Sequence, residues 1–246
     1  MDKAYLSING LTKRFGGLSV IENFTLQIEK GEFVCVVGPT GCGKTTLLRC
    51  LMGLTQIDDG EILLTGKPLD LTESSVGYIS QDDTLMPWLN ALENAAFGMK
   101  IRGVPRSERK TAAQTALEKL GLGDISGRFP REISASQQKQ VALARALCVN
   151  PEILLMDEPY SQLDSSSRHK LWDELLALKA QSGVTVLFIT HNVEEAVYLA
   201  DRIIVLSDKP IRIKQNIRVT LDHPRNMSDN EFIQLREYVT EEIRWW

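Results

Sequence analysis

The sequence predicts an α/β fold built on a mostly parallel sheet with helices on both faces. Two observations carry this reading. Short, continuously apolar runs recur: EFVCVVG (residues 32–38), EILLMDEP (152–159), TVLFIT (185–190) and RIIVLS (202–207). Strands covered on both faces read this way, without the alternation of a half-solvated strand. Between them lie longer segments of helical pattern: KTTLLRCLMGL (44–54), SSSRHKLWDELLALKAQSG (165–183) and NVEEAVYLA (192–200). Strands alternating with helices imply parallel pairing through crossover connections.

Two regions depart from this rhythm, and one follows it. The first 30 residues and EILLTGKPLD (61–70) suggest short antiparallel strands at the N-terminal side. The stretch from about 89 to 148 reads as an inserted helical subdomain, with SERKTAAQTALEKLGL (107–122) amphipathic. From about 209 the β-like IRIKQNIRVTL leads into a polar tail ending in Trp245 and Trp246. The whole chain, 1–246, is expected to form a single domain.

Composition bounds the function. The 246 residues are 43% hydrophobic and 24% charged, as in ordinary globular proteins. A net charge of −4 argues against a general nucleic-acid partner, which calls for a basic surface. Cys35, Cys42, Cys50 and Cys148 make no C-x-x-C pair and the three histidines are scattered, so no zinc pattern emerges. Cys35 and Cys148 read as small core residues, in a reducing compartment. MDKAYLSING has no signal-peptide pattern, and no run reaches the roughly 18 apolar residues of a membrane helix.

The strongest chemical signal is GPTGCGKT, from Gly38 to Thr45, which matches G-x-x-x-x-G-K-[ST] between a strand and a helix. Glycines let successive backbone N–H groups turn toward phosphate oxygens, and the helix N-terminus adds partial positive charge. Lys44 would reach the β- and γ-phosphates of a nucleotide, and Thr45 would hold Mg²⁺. Asp157 and Glu158 emerge together at the carboxyl end of a buried strand, where such sheets bind ligands. Asp157 suits the Mg²⁺ shell, and Glu158 can orient and polarise an attacking water. His191 follows a third strand and can donate to the γ-phosphate or to that water. Gln81 ends another apolar run and can reach the metal or the water. His169 and His223 lack such a setting and read as surface residues.

These features together resemble the nucleotide-binding subunit of ABC transporters. The resemblance spans nearly the whole chain and rests on GPTGCGKTTLL, ISQDDTLMPW, LLMDEPYSQLD and ITHNVEEAVYLADRIIVLS, in that order. It implies a P-loop ATPase core, an N-terminal antiparallel β part and a helical subdomain. It further implies that Phe15 stacks on adenine and that Gly38, Pro39, Thr40, Gly41, Cys42, Gly43, Lys44, Thr45 and Thr46 cradle the phosphates. Gln81 resembles the γ-phosphate sensor, His191 the switch histidine, and SQLD, ending at Asp164, the loop that crosses a dimer interface. Two subunits, here a second copy of the chain, then sandwich ATP and Mg²⁺ between one phosphate loop and the partner's signature sequence.

That signature is usually L-S-G-G-Q. Here Ile133, Ser134, Ala135, Ser136 and Gln137 stand in its place, without glycine, and Gln140 replaces an arginine common among relatives. Ser134 and Gln137 also have the S-x-x-Q spacing of a helix capping box. If Ala135 or Ser136 needed a positive φ, backbone strain would weaken the site. LMPWLNALENAAFG and VLSDKPIRI…LDHPR are similar to importers of nitrate, sulfonate and taurine. The resemblance therefore implies a peripheral subunit on the cytoplasmic face of the cell membrane, with a permease and, through it, an extracytoplasmic solute-binding protein. Leu85, Met86, Pro87 and Trp88 either meet that permease or lie buried in the helical subdomain. Two other functions compete: a soluble ATP-switched clamp on nucleic acid or ribosomes, and a nucleotide-binding regulatory partner of low turnover.

Overall fold

The computed structural model describes residues 4–71, 75–82 and 85–244, with the side chain of Arg244 left aside. Trp245 and Trp246 lie outside the described residues. The backbone divides into two units, one built from the chain before residue 75 and after residue 182, the other from residues 75–182.

The first unit opens with β1 (Leu6–Phe15) and β2 (Leu18–Ile28), a long antiparallel hairpin that sets Leu6 opposite Ile28 and Phe15 opposite Leu18. Next come β3 (Phe33–Val37), buried at every residue, and α1 (Lys44–Leu51). The sequence suggests a helix to Leu54, but α1 ends at Leu51. Gly53 takes φ +60 just beyond it, the left-handed exit that helix ends favour. β4 (Asp59–Leu64) returns antiparallel to β1 and β5 (Lys67–Pro68) to β4, completing the expected antiparallel sheet in the order β2-β1-β4-β5.

The second unit begins with β6 (Val76–Ile79). Its helices are α2 (Ala91–Ala95), α3 (Phe97–Ile101), α4 (Arg106–Lys119) and α5 (Ala135–Leu147), with short 3₁₀ turns at Gly123–Ile125 and Pro130–Glu132. β7 (Ile153–Asp157) runs parallel to β6, and α6 (Ser165–Ser182) closes the unit.

The chain then returns to the first unit as β8 (Thr185–Ile189), α7 (Val193–Leu199), β9 (Arg202–Leu206), β10 (Ile213–Arg218) and α8 (Asn230–Arg244). β8 and β9 flank β3 in parallel, while β10 pairs antiparallel with β9. Arg202 anchors the start of β9 through two bonds to the Glu32 carboxylate, at 2.6 and 2.9 Å.

The last helix corrects the sequence reading, which saw a polar tail. α8 buries Phe232 and Val239, two helical turns apart, and packs on α7 and β9. Before it, the buried Arg225 guanidinium donates to the carbonyls of Val197, Tyr198 and Ala200 from one nitrogen and to Leu221 from another. A cation there satisfies carbonyls that the end of α7 leaves without a helical partner.

Burial corrects two smaller readings and bears on a third that the sequence left open. Cys35 is buried as expected, but Cys148 is only partly buried. His169 is half-buried, with its ring edge-on to Trp172 at 4.8 Å, whereas His223 is exposed. Trp88, 72% exposed, does not lie inside the helical unit, while Leu85 and Met86 are half-buried. No described helix is long and apolar enough to cross a membrane.

Candidate active site

β3 delivers the chain at Val37 into residues 38–43, and α1 starts at Lys44. Gly43 sits at φ +129, and a Cβ built on it would lie 2.8 Å from Val20 Cγ1. Conformation and space both require glycine there. The start of α1 has no side-chain cap, which leaves its first N–H groups suited to an anion. Lys44, 5% exposed, folds back over the loop and donates from Nζ to the Gly38 and Pro39 carbonyls, each at 2.9 Å. Three ammonium donors minus these two bonds leaves one for a phosphate oxygen. Thr45 is exposed in the first turn. The Cys42 thiol is buried, and burial raises its pKa while the Lys44 charge pulls the other way.

The same unit brings His191 to this edge. β8 pairs with β3 so that Ile189 faces Val36, and the Thr190 N–H donates to the Val36 carbonyl. His191 therefore leaves the sheet at the carboxyl end where the phosphate loop begins, and it is exposed. Phe15, at the end of β1, is 51% exposed and is not a core aromatic. Lys13 Nζ lies 5.1 Å from its ring centre and is itself held by Asp58 at 3.1 Å.

The second unit gathers the acidic residues. Asp157 ends β7 and is buried, and Glu158 follows at φ +45. The Glu158 carbonyl accepts from Ser161 N and Oγ at 3.3 and 3.0 Å. Ile79 of β6 faces Met156 of β7, so Gln81 leaves the same strand edge as Asp157 and Glu158. Asp164 accepts the Ser167 N–H at 3.0 Å, and this bond holds its carboxyl below the usual range.

The signature region is a closed capping box. Ser134 Oγ accepts the Gln137 N–H at 3.2 Å and Gln137 Oε1 accepts the Ser134 N–H at 2.9 Å. Ser134 still has its own O–H to donate. Ala135 and Ser136 open α5 and neither has positive φ, so the strain that the missing glycines could have imposed is absent. Replacing both by glycine is expected to destabilise the chain by about 1–2 kcal/mol in total. Thermal denaturation checks this; an unchanged melting temperature would mean that these residues contribute nothing to the helix start.

Residues 21–161 match the ABC transporter family. The chain belongs to that family. It is 40% identical over 241 residues to an uncharacterised ABC transporter ATP-binding protein of Methanocaldococcus jannaschii, covering 96% of this chain and 90% of the relative. It is 37% identical over 248 residues to the taurine import ATP-binding protein TauB of Escherichia coli O157:H7, covering 97% and 96%. Among solved structures it is similar to a dimeric ATP-binding cassette in a post-hydrolysis state bound to ADP and Pi. That match has 29% identity and a TM-score of 0.76 and covers 88% of this chain and all of the other. The chain is thus an ABC ATPase subunit that binds ATP, on a P-loop α/β fold.

Sequence reasoning passed over three buried charged residues of this ABC subunit. Lys139, on α5, donates to the Gln81 carbonyl at 2.8 Å and ties the signature helix to the loop after β6. Glu195, on α7, bonds to Thr190 beside His191. Arg225 closes the other end of α7. The available signal for Lys139 and Glu195 was a charged residue within a helical stretch, at a position that its fellow core residues make inward-facing; Arg225, in a loop before α8, carried no such signal. Gln140, where the family resemblance leads one to expect arginine, is also buried and donates to Glu174 at 2.6 Å.

Proposed function

We propose that this ABC ATPase energises an importer of a small anion, with taurine and related sulfonates as the first substrates to test and nitrate as the next. The full-length likeness to taurine import ATP-binding proteins supports the import direction and the substrate class. The observation that carries the reading is the phosphate loop, whose Gly43 has no room for a side chain and whose Lys44 is fixed over the loop. The whole chain, 1–246, acts as one ATPase domain, with 89–148 as its helical part and 209–246 as its C-terminal extension.

Two copies of the chain close on ATP, a reading supported by the dimeric cassette to which this one is similar. Residues 38–46 of one copy hold the phosphates while Phe15 stacks on adenine. Ser134, Ala135, Ser136 and Gln137 of the other copy meet the γ-phosphate, and Asp164 lines the interface. Glu158 accepts a proton from the attacking water, Gln81 and His191 orient that water and the γ-phosphate, and the ADP oxygen departs with the bond to phosphorus. Thr45, Gln81 and Asp157 offer hard oxygen donors, the set that Mg²⁺ prefers. When bound, that ion neutralises charge on the phosphate oxygens.

A permease in the membrane receives the motion on the segment that includes Pro87 and Trp88, both exposed. The chain then works at the cytoplasmic membrane face, and a solute-binding protein delivers the anion from outside. Because Ala135 and Ser136 have no positive φ, their side chains, a methyl and a hydroxymethyl, are what separates this signature from one with two glycines. The double-glycine variant is expected to turn over faster with unchanged affinity of the phosphate loop for ATP.

The test is ATP hydrolysis by the purified chain, alone and reconstituted in vesicles with its permease and solute-binding protein. Taurine-loaded binding protein is expected to stimulate hydrolysis several-fold and to drive taurine uptake. Stimulation by nucleic acid or ribosomes, with none by the membrane partners, would overturn the importer reading.

A further inference from the structure

The reading of His191 as the residue that contacts the γ-phosphate leaves open what holds an exposed loop histidine in place. The first unit contains a closed ring of hydrogen bonds around it. Thr190 Oγ donates to Glu195 Oε2 at 2.5 Å. The Asn192 N–H donates to Thr190 Oγ at 2.9 Å, and the Glu195 N–H donates to Asn192 Oδ1 at 3.2 Å. The Thr190 N–H is meanwhile fixed to the Val36 carbonyl, on the strand that feeds the phosphate loop. Both neighbours of His191 are thus pinned, Thr190 through backbone and side chain and Asn192 likewise, so the chain on each side of His191 is fixed.

The ring stands on Glu195, which is 3% exposed. A buried carboxylate is expensive unless its bonds are made, so its place in the ring is strongly enforced. Glu195 sits on α7 with Ala196, Val197 and Leu199 buried around it, and α7 is clasped at its far end by Arg225. A ligand group held this way loses little freedom when it engages a transition state, because the neighbouring structure has already fixed it.

We propose that Glu195 and Thr190 are positioning residues for His191, setting the histidine at the height of the phosphate loop before ATP arrives. This rests on the proposed role of His191 and adds the residues through which that role is enforced. Neither Glu195 nor Thr190 touches nucleotide in this reading, so their removal acts on turnover and leaves ground-state binding of ATP in place.

The experiment compares Thr190→Val, Thr190→Ser, Glu195→Gln and His191→Ala in the full chain, with kcat, KM for ATP and melting temperature measured for each. Thr190→Val keeps the side-chain shape and removes the hydroxyl. It is expected to lower kcat about tenfold with KM within about twofold, whereas Thr190→Ser stays within about twofold of the parent in both. Glu195→Gln keeps an acceptor without charge and is expected to fall between them. In the His191→Ala background, Thr190→Val is expected to add less than about a twofold loss, since residues acting through one group are not additive. A second readout needs no turnover: the ¹⁵N signals of the His191 ring, one of three histidines, should broaden in Thr190→Val.

The outcomes separate the two ideas. If His191→Ala hydrolyses ATP at the parent rate, the role of His191 fails. If His191→Ala is slow but Thr190→Val is not, or if their losses multiply, the positioning role fails while that of His191 stands. A Thr190→Val chain with lowered melting temperature and equal loss in kcat and ATP binding would also overturn it, as a defect of folding alone.

Discussion

Glu158→Gln is expected to bind ATP with near-parent affinity and to hydrolyse it at least about 100-fold more slowly, the usual contribution of a positioned general base. The amide occupies the carboxylate's volume but cannot take a proton from water. ATP then remains bound, and the closed dimer it favours should accumulate, which size-exclusion chromatography with ATP detects. The structure adds a reason to place chemistry at this residue. Glu158 holds φ +45, a conformation that costs a non-glycine residue about 1–3 kcal/mol, and its carbonyl is pinned by two donors from Ser161. Glutamine keeps that backbone demand, so Glu158→Gln isolates the proton acceptor. Glu158→Gly relieves the strain and is expected to be the more stable chain while hydrolysing no faster. Turnover by Glu158→Gln near the parent rate would remove Glu158 from the catalytic role.

What the sequence made legible and what it hid follow one physical divide. The phosphate loop, the strand before Asp157 and the strand before His191 are local patterns. Their meaning lies in residues adjacent in the chain, and the structure has β3, β7 and β8 where those patterns put them. The capping box of Ser134 and Gln137 is equally local, and both of its bonds form. What spacing could not settle was the backbone of Ala135 and Ser136, because a signature without glycine is compatible with strain or with an ordinary helix start. The hidden features are those whose partners lie far along the chain. Arg225 is polar and follows a proline, and only the folded end of α7 gives its guanidinium three of its four acceptors. Lys139 meets a carbonyl 58 positions earlier. α8 fell between the two cases: Phe232 and Val239 repeat at helical spacing, but a mostly polar segment hid the apolar stripe.

Lys44→Met is expected to weaken ATP binding about 100-fold or more, equal to about 2.7 kcal/mol. Two losses combine in it. The ammonium is the charged donor nearest the phosphates in this reading, and a charge-assisted bond contributes about 1.5–3 kcal/mol. It also bridges the Gly38 and Pro39 carbonyls, and removing that bridge frees the loop that must present its N–H groups together. Methionine keeps the apolar stem, so the packing of this buried side chain is largely preserved. Arginine at the same position would not restore binding, because its planar fork cannot replace a compact ammonium held between two carbonyls. Ligand-induced stabilisation measures the effect without any turnover. ATP at about 100 times the parent Kd stabilises the parent by about 2.7 kcal/mol, whereas the same ATP concentration stabilises a chain with 100-fold weaker binding by only about 0.4 kcal/mol. Glu158→Gln should show the full parent stabilisation in the same assay, which separates loss of binding from loss of chemistry. A Lys44→Met chain still stabilised by ATP to the parent extent would show that backbone N–H groups and the helix N-terminus hold the phosphates without the lysine.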